Sequence, residues 1–249
     1  MNSIQILRKT LLSAAVATAT LGAGQLSAAQ IEEIIVTTQK REQSLQDVPI
    51  TVSAFTGSFM EKAQISDAKA VALLTPGVSG DTDDSFLDSM NVRGISTNDF
   101  GVGAEPSIGV YQDGIYLGRT GGALSSFFDL EMVEVVKGPQ GTLFGRNASA
   151  GAIAVTTARP TDEQSGSIDL GLGEDGYAEF TGVMNMPIND NLSSRMAIYH
   201  QQKDGWVQNI NDGKMAGAIE NTAARYTLAY ESDMVSGTLM LEYEDRQGP

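Results

Sequence analysis

Residues 133–155, VEVVKGPQGTLFGRNASAGAIAV, decide how this chain of 249 residues is read. Val133, Val135 and Val136 form a β-branched run of the kind that fills strands. Gly138-Pro139 ends it, because proline has no N–H to give a ladder and its ring fixes φ. Gly141, Gly145 and Gly151 follow at intervals where the backbone is free to turn tightly or to approach another surface closely. Ile153, Ala154, Val155 and Thr156 resume a strand. The stretch therefore reads as strand, turn, Gly-rich crossing, strand. It holds no arrangement of acid, base and nucleophile. It describes a compact β-rich element that must fit inside something else.

Upstream, the chain opens on a targeting segment. Arg8 and Lys9 form a basic start, Leu11 to Leu21 is apolar and small, and Ser27-Ala28-Ala29 offers a cleavage site. Residues 1–29 thus read as a secretory signal peptide rather than a buried N-terminal helix, and the apolar run is too short to span a bilayer. Losing Arg8 and Lys9 with it lowers the formal charge of −15 by two. So acidic a chain is a poor partner for nucleic acid, whose phosphates need a basic surface. It has no cysteine, which excludes disulfides, thiolate metal sites and thiol nucleophiles. Its lone histidine, His200, cannot build a multi-histidine cage. No metal or cofactor is implied, and no enzyme motif stands out.

The composition changes near Arg159-Pro160. Before it, short strands alternate with short helices. Residues 32–38, EEIIVTT, are a short β-prone run, and Gln39 to Asp47 is a polar linker. From these residues alone, Ile34, Ile35, Val36, Thr37 and Thr38 read as a first strand of the following domain in preference to a free segment. Val48 to Phe55 reads as a strand, and Thr56 to Gln64 and Asp67 to Leu74 as helices, the second capped by Asp67 and ended by Thr75-Pro76-Gly77. Asp81 to Asp88, with Asp83 and Asp84, is an acidic loop; clustered oxygens suit hard cations, but the spacing matches no EF-hand. Asn91 to Ile95 reads as a strand interrupted by glycine. Ile108 to Tyr116 reads as a hairpin turned by Gln112-Asp113-Gly114.

After Arg159-Pro160 five segments alternate with period two: Ser167–Gly173, Tyr177–Met186, Leu192–Gln201, Thr222–Glu231 and Val235–Asp245. Each has one apolar and one polar face, as in Ile168, Leu170 and Leu172 against Ser167, Asp169 and Gly171. A strand of about ten residues suits a tilted crossing of a bilayer. The same alternation suits a soluble sandwich, so alternation alone leaves both open. A long third connection, Lys203 to Asn221, between two short ones places the long loop on the outer side of a barrel.

In combination these segments resemble a TonB-dependent outer-membrane receptor. Residues 32–38 look like the TonB box, KREQSLQDVPITVSAF (40–55) like the lead-in to the plug, and Asn91-Val92-Arg93-Gly94 like its Arg-Gly element. GVYQDGIYLG (109–118) resembles the central plug hairpin, and the opening stretch resembles the Gly-Pro turn followed by an aromatic-Gly step. The resemblance implies an α+β plug domain, a small mixed sheet with short helices, followed by antiparallel strands of an incomplete transmembrane β-barrel. Residues 30–47 are then TonB box and linker, 48–158 the plug, and 159–249 the start of the barrel.

It implies uptake of a scarce small-molecule or metal-chelate ligand into the periplasm, with outer-membrane lipid around the barrel and the inner-membrane protein TonB as energy-transducing partner. TonB would grip Ile34–Thr38. Arg93 and Lys137 would lock the plug to barrel carboxylates, Lys137 standing where arginine is usual and so giving a looser lock. Gly138, Pro139, Gly141 and Gly145 form the plug turn, the glycines packing it against the barrel wall. Ligand contacts fall to Asp83, Asp84, the 96–106 loop and the long loop with Trp206. The family has a 22-stranded barrel, so a chain with five strands reads as a fragment or a truncated product. A TonB box directly after the signal peptide leaves no room for an N-terminal signalling domain. A soluble periplasmic β-rich binding protein and a passive porin are the competing readings.

Overall fold

The computed structural model describes residues 34–38, 41, 43–80, 90–96, 105–118, 126–208, 210, 213 and 215–248. Ile35–Val36 (β1) pairs antiparallel with Gln43–Ser44 (β2). Thr51–Thr56 (β3) runs directly into helix α1, Gly57–Lys62, where the Thr56 hydroxyl accepts the Phe59 N–H. Helix α2, Ala68–Leu74, starts at Asp67, whose carboxylate accepts the Ala70 N–H at 2.8 Å as the sequence predicts. Thr75 closes it by donating to the Val71 carbonyl, and Gly77 turns the chain away at φ +80°. Val78–Ser79 (β4), Asn91–Val92 (β5) and Ile95–Ser96 (β6) then form a small antiparallel sheet. Here the expected interrupted strand is a tight hairpin. Arg93 and Gly94 both take left-handed backbone, φ +54° and +85°, which reverses the chain within two residues.

Ile108–Gln112 (β7) and Ile115–Tyr116 (β8) form the expected hairpin on Asp113-Gly114. Leu130–Lys137 (β9), one helical turn at Gly141–Phe144 (α3) and Gly151–Thr157 (β10) make up the opening stretch. The crossing read as irregular thus contains a helical turn, set between Gly138 at φ +106° and Gly145 at φ +83°. The five-stranded sheet has the order β3-β9-β10-β7-β8, with β10 parallel to β7 and the other pairs antiparallel. Val110, Val133, Val135 and Ile153 from its strands meet Met60 and Val71 from α1 and α2, Val92 of β5 and Met90 just before it in one buried core.

The second half is a separate antiparallel sheet of Ser165–Leu172 (β11), Ala178–Asn189 (β12), Leu192–Lys203 (β13), then, past a small hairpin of Val207–Gln208 (β14) and Met215–Ala216 (β15), Ile219–Glu231 (β16) and Ser236–Gln247 (β17). Its order is β11-β12-β13-β16-β17, and it does not close on itself. β12 runs farther than its alternation predicts: Pro187 stays opposite Ser193, and a register shift before Asn189 absorbs its missing N–H. The fold is a small α+β domain, a mixed sheet with short helices, followed by an open antiparallel sheet of five long strands.

Candidate functional site

The five long strands place their apolar side chains outward. Ile168, Leu170 and Leu172 on β11 and Leu239, Leu241 and Tyr243 on β17 are all more than half exposed. Their polar faces turn inward: Asn221 and Arg225 are buried against residues 126–129 of the first domain, Asn185 is buried under Thr161 and Glu163, and Thr227 is buried as well. A soluble sandwich does the reverse and buries its apolar faces. An apolar outer band with a polar interior is the arrangement of a wall in lipid.

The seam between the two domains is densely polar. Arg195 of β13 grips Asp129, just ahead of β9, through Nε and Nη2 at 2.8 and 2.5 Å, with the carboxylate side chain only 5% exposed. Arg225 of β16 donates to Glu242 of β17 at 2.5 Å and, through Nη1, to the carbonyls of Phe128 and Asp129 at 3.2 Å. Its guanidinium also lies 4.4 Å from the centre of the Phe128 ring, which stacks on Tyr199. Glu244 accepts both the N–H and the hydroxyl of Ser126 at 2.9 Å, Asn221 bonds the same hydroxyl, and Glu242 also accepts from Gln112 at 3.0 Å. Residues 126–129 are thus held by two arginines and one glutamate of the wall, while Glu242 braces Arg225 and holds Gln112 of β7.

The N-terminal segment is docked rather than loose. The Ile34 carbonyl accepts the Leu45 N–H, Val36 is buried, and Ile35 is partly exposed. Thr37 and Thr38 both bond the carboxylate of Glu134, a fully buried residue of β9.

Arg93 and Lys137 lie together at one cleft with Pro49, Ile50, Gly138, Pro139 and Gln140. Arg93 donates to the Thr51 hydroxyl at 2.8 Å, and Lys137 to the Ser53 hydroxyl and the Pro76 carbonyl at 3.1 Å. Burial, and then the Arg93 guanidinium, push the Lys137 ammonium below its usual range. Among the described residues neither cation forms an ion pair with a carboxylate. Gly141 opens the helical turn and Gly145 follows it, and among the described residues nothing lies within 4 Å of where a Cβ would stand at either. Trp206 is half-exposed in the long connection, with the Lys203 ammonium 5.2 Å from its ring and Gly217 beneath it. Asp83, Asp84 and most of the 96–106 loop lie outside the described residues.

The family model for the TonB-dependent receptor plug domain matches residues 44–152. Residues 44–152 therefore carry the plug domain of a TonB-dependent receptor. Over 244 residues it is 23% identical to the vitamin B12 transporter BtuB of Vibrio vulnificus, covering 96% of this chain and 38% of that protein. It is 29% identical over 184 residues to the pesticin receptor of Yersinia pestis, covering 71% and 26%. Among solved structures, the ferric yersiniabactin uptake receptor FyuA of Yersinia pestis superposes with a TM-score of 0.72 at 21% identity, over 78% of this chain and 31% of that one. The chain therefore spans less than half the length of these relatives. The fold is that of a receptor plug with the first strands of an outer-membrane barrel.

Sequence reasoning about a receptor lock chose Arg93 and Lys137 and missed the arginines of the wall. Arg195 and Arg225 sit on the polar faces of adjacent strands in diagonal register, Arg195 opposite Thr227 and Ala197 opposite Arg225. Two inward arginines side by side demand acceptors, and that was the available signal. Arg225 serves a carboxylate and two carbonyls from one rigid fork, which a lysine cannot reproduce. Arg225→Lys is expected to weaken plug seating by about 1.5–3 kcal/mol, the worth of one or two charge-assisted hydrogen bonds. Urea titration of the full-length receptor checks this; an unchanged midpoint would mean that the fork is dispensable.

Proposed function

We propose that this chain is the plug-bearing part of an energised outer-membrane importer. The importer takes a scarce ligand of the siderophore-iron, vitamin or saccharide type into the periplasm. The observation that carries this reading is the reversed polarity of the wall: a lipid-suited outer face and a polar inner face laid against a folded plug. A plug that blocks the lumen has to be moved for transport, and the outer membrane offers no nucleotide to move it. The β-prone segment Ile34–Thr38 is suited to strand addition at the edge of a partner's sheet, with TonB as that partner. Arg93 and Lys137 are assigned to carboxylates of the wall, with Lys137 giving a looser hold than arginine. Asp83, Asp84 and Trp206 are assigned to ligand contact. Relatives named as a vitamin B12 transporter and a pesticin receptor support a small-ligand importer that also serves as a surface receptor.

Deleting residues 34–38 from the full-length receptor is expected to abolish uptake while leaving ligand binding at the cell surface intact. The assay uses radiolabelled vitamin B12 and radioiron-loaded siderophores in cells lacking other receptors. Undiminished uptake of whichever probe the parent imports would overturn energised transport.

A further inference from the structure

Glu134 is an unusual residue for its place. It sits in the middle of β9, between β3 and β10, in a run of valines, and is 1% exposed. Its cross-strand neighbours are Ala54 on β3 and Ala154 on β10, two small side chains that leave a slot over the sheet. A carboxylate buried in such a slot is costly unless its lone pairs are filled. Four donors fill them, and all come from two consecutive residues. Oε1 accepts the Thr37 N–H at 2.9 Å, the Thr38 N–H at 3.3 Å and the Thr38 hydroxyl at 2.6 Å. Oε2 accepts the Thr37 hydroxyl at 3.2 Å. Burial of Glu134 and docking of the N-terminal segment are therefore one event.

We propose that Glu134 is a positioning residue, a clasp that holds Thr37 and Thr38 on the plug and so sets how readily Ile34–Thr38 is released to a periplasmic partner. This rests on the reading of Ile34–Thr38 as the segment that such a partner grips. Beside the clasp is a cavity of about 380 Å³ lined by Tyr111, Glu131, Thr156 and Arg159 as well as by Thr37, Thr38 and Glu134. These polar walls admit water to the carboxylate once the segment leaves, so release is reversible rather than catastrophic. The clasp opens at the cost of exchanging four hydrogen bonds for hydration, and re-forms when the pull ends.

The test is thiol labelling in outer-membrane vesicles bearing the full-length receptor, otherwise free of cysteine, with Val36→Cys as reporter. Val36 is 1% exposed while docked, so labelling reports release. Glu134→Gln keeps the shape but offers one acceptor oxygen in place of two and turns an N–H2 towards the donors. It is expected to speed labelling by about tenfold or more, the effect of losing hydrogen bonds to a charged group. Thr37→Val with Thr38→Val should do the same from the other side, and combining both sets should add little to either, as for groups in one network. Glu131→Gln, which lines the same cavity, should leave the rate unchanged. Labelling of Ala68→Cys, buried in the core of the plug, should stay slow throughout. Parental labelling in Glu134→Gln, equal acceleration by Glu131→Gln, or simultaneous exposure of the Ala68 reporter would each overturn the clasp. None of these readouts needs ligand or uptake, so a failed clasp and a failed import reading are told apart.

Discussion

Asp129→Ala is expected to destabilise seating of the plug by about 3–5 kcal/mol, because it leaves the Arg195 guanidinium buried without its partner. The magnitude follows from the geometry. The pair is bidentate, and its side chains are only 18% and 5% exposed, so solvent does little to screen it. An exposed pair of the same composition would be worth no more than about 1 kcal/mol. Asp129 also has left-handed backbone, φ +50°, which aspartate and asparagine tolerate better than alanine. Asp129→Asn therefore separates the two contributions: it keeps the backbone preference and loses the charge. A companion substitution, Arg195→Met, should restore most of the stability lost in Asp129→Ala, since two apolar groups in a seam tolerate burial that a lone charge does not. The measurement is the urea dependence of thiol labelling at Ala68→Cys in the full-length receptor. A loss below about 1 kcal/mol, or a double variant no better than Asp129→Ala, would show that Arg195 finds water or another acceptor and that the pair is no anchor.

That anchor has a mechanical consequence. Asp129 lies at the start of β9 and is fixed to the wall, whereas Glu134, in the middle of the same strand, holds the N-terminal segment. A pull on residues 34–38 thus reaches a strand whose other end is tied to β13 and β16. The clasp is four hydrogen bonds to one carboxylate, while the anchor adds a bidentate ion pair, the Arg225 fork and the Glu244 contacts. The weaker link is the clasp on the N-terminal segment, so the clasp is expected to yield first.

Much of this architecture was legible in the sequence. The valine run, the Gly-Pro break and the return to strand placed β9 and β10, and period-two alternation placed all five wall strands with boundaries off by a few residues. Alternation states which side chains share a face. It does not state what that face meets, so alternation alone leaves sandwich and barrel equal; the resemblance favours the barrel, and the polar faces against the plug bear it out. The hairpin at Arg93-Gly94 was not legible, because it puts an arginine in left-handed backbone, which propensity disfavours. The anchor was not legible either: residues 126–129 have no periodicity, and their partners lie on strands far along the chain. Glu134 was visible as an anomaly, a charge inside a valine run, but only the fold brings Thr37 and Thr38 to it.

Gly151→Val is expected to be the most damaging single change within residues 133–155, costing about 3 kcal/mol, at the upper end of overpacking penalties. A Cβ at Gly151 would stand 2.5 Å from the Val136 carbonyl oxygen, a backbone atom that cannot rotate away. Nor can β10 shift aside. Gly151 is paired with Lys137 of β9 on one side and Ile108 of β7 on the other, so relief on one ladder breaks the other. The other glycines of the stretch should rank below it for separate reasons. Gly145 has room for a Cβ but sits at φ +83°, so Gly145→Ala should cost about 1–2 kcal/mol in backbone strain alone. Gly141 has both room and ordinary backbone inside a helical turn, so Gly141→Ala should fall within about 0.5 kcal/mol of the parent. Urea midpoints read at the Ala68→Cys reporter give the order. Equal losses at 151 and 141 would refute the strand-approach role, because only at 151 does the neighbouring strand's backbone occupy the place of the missing side chain.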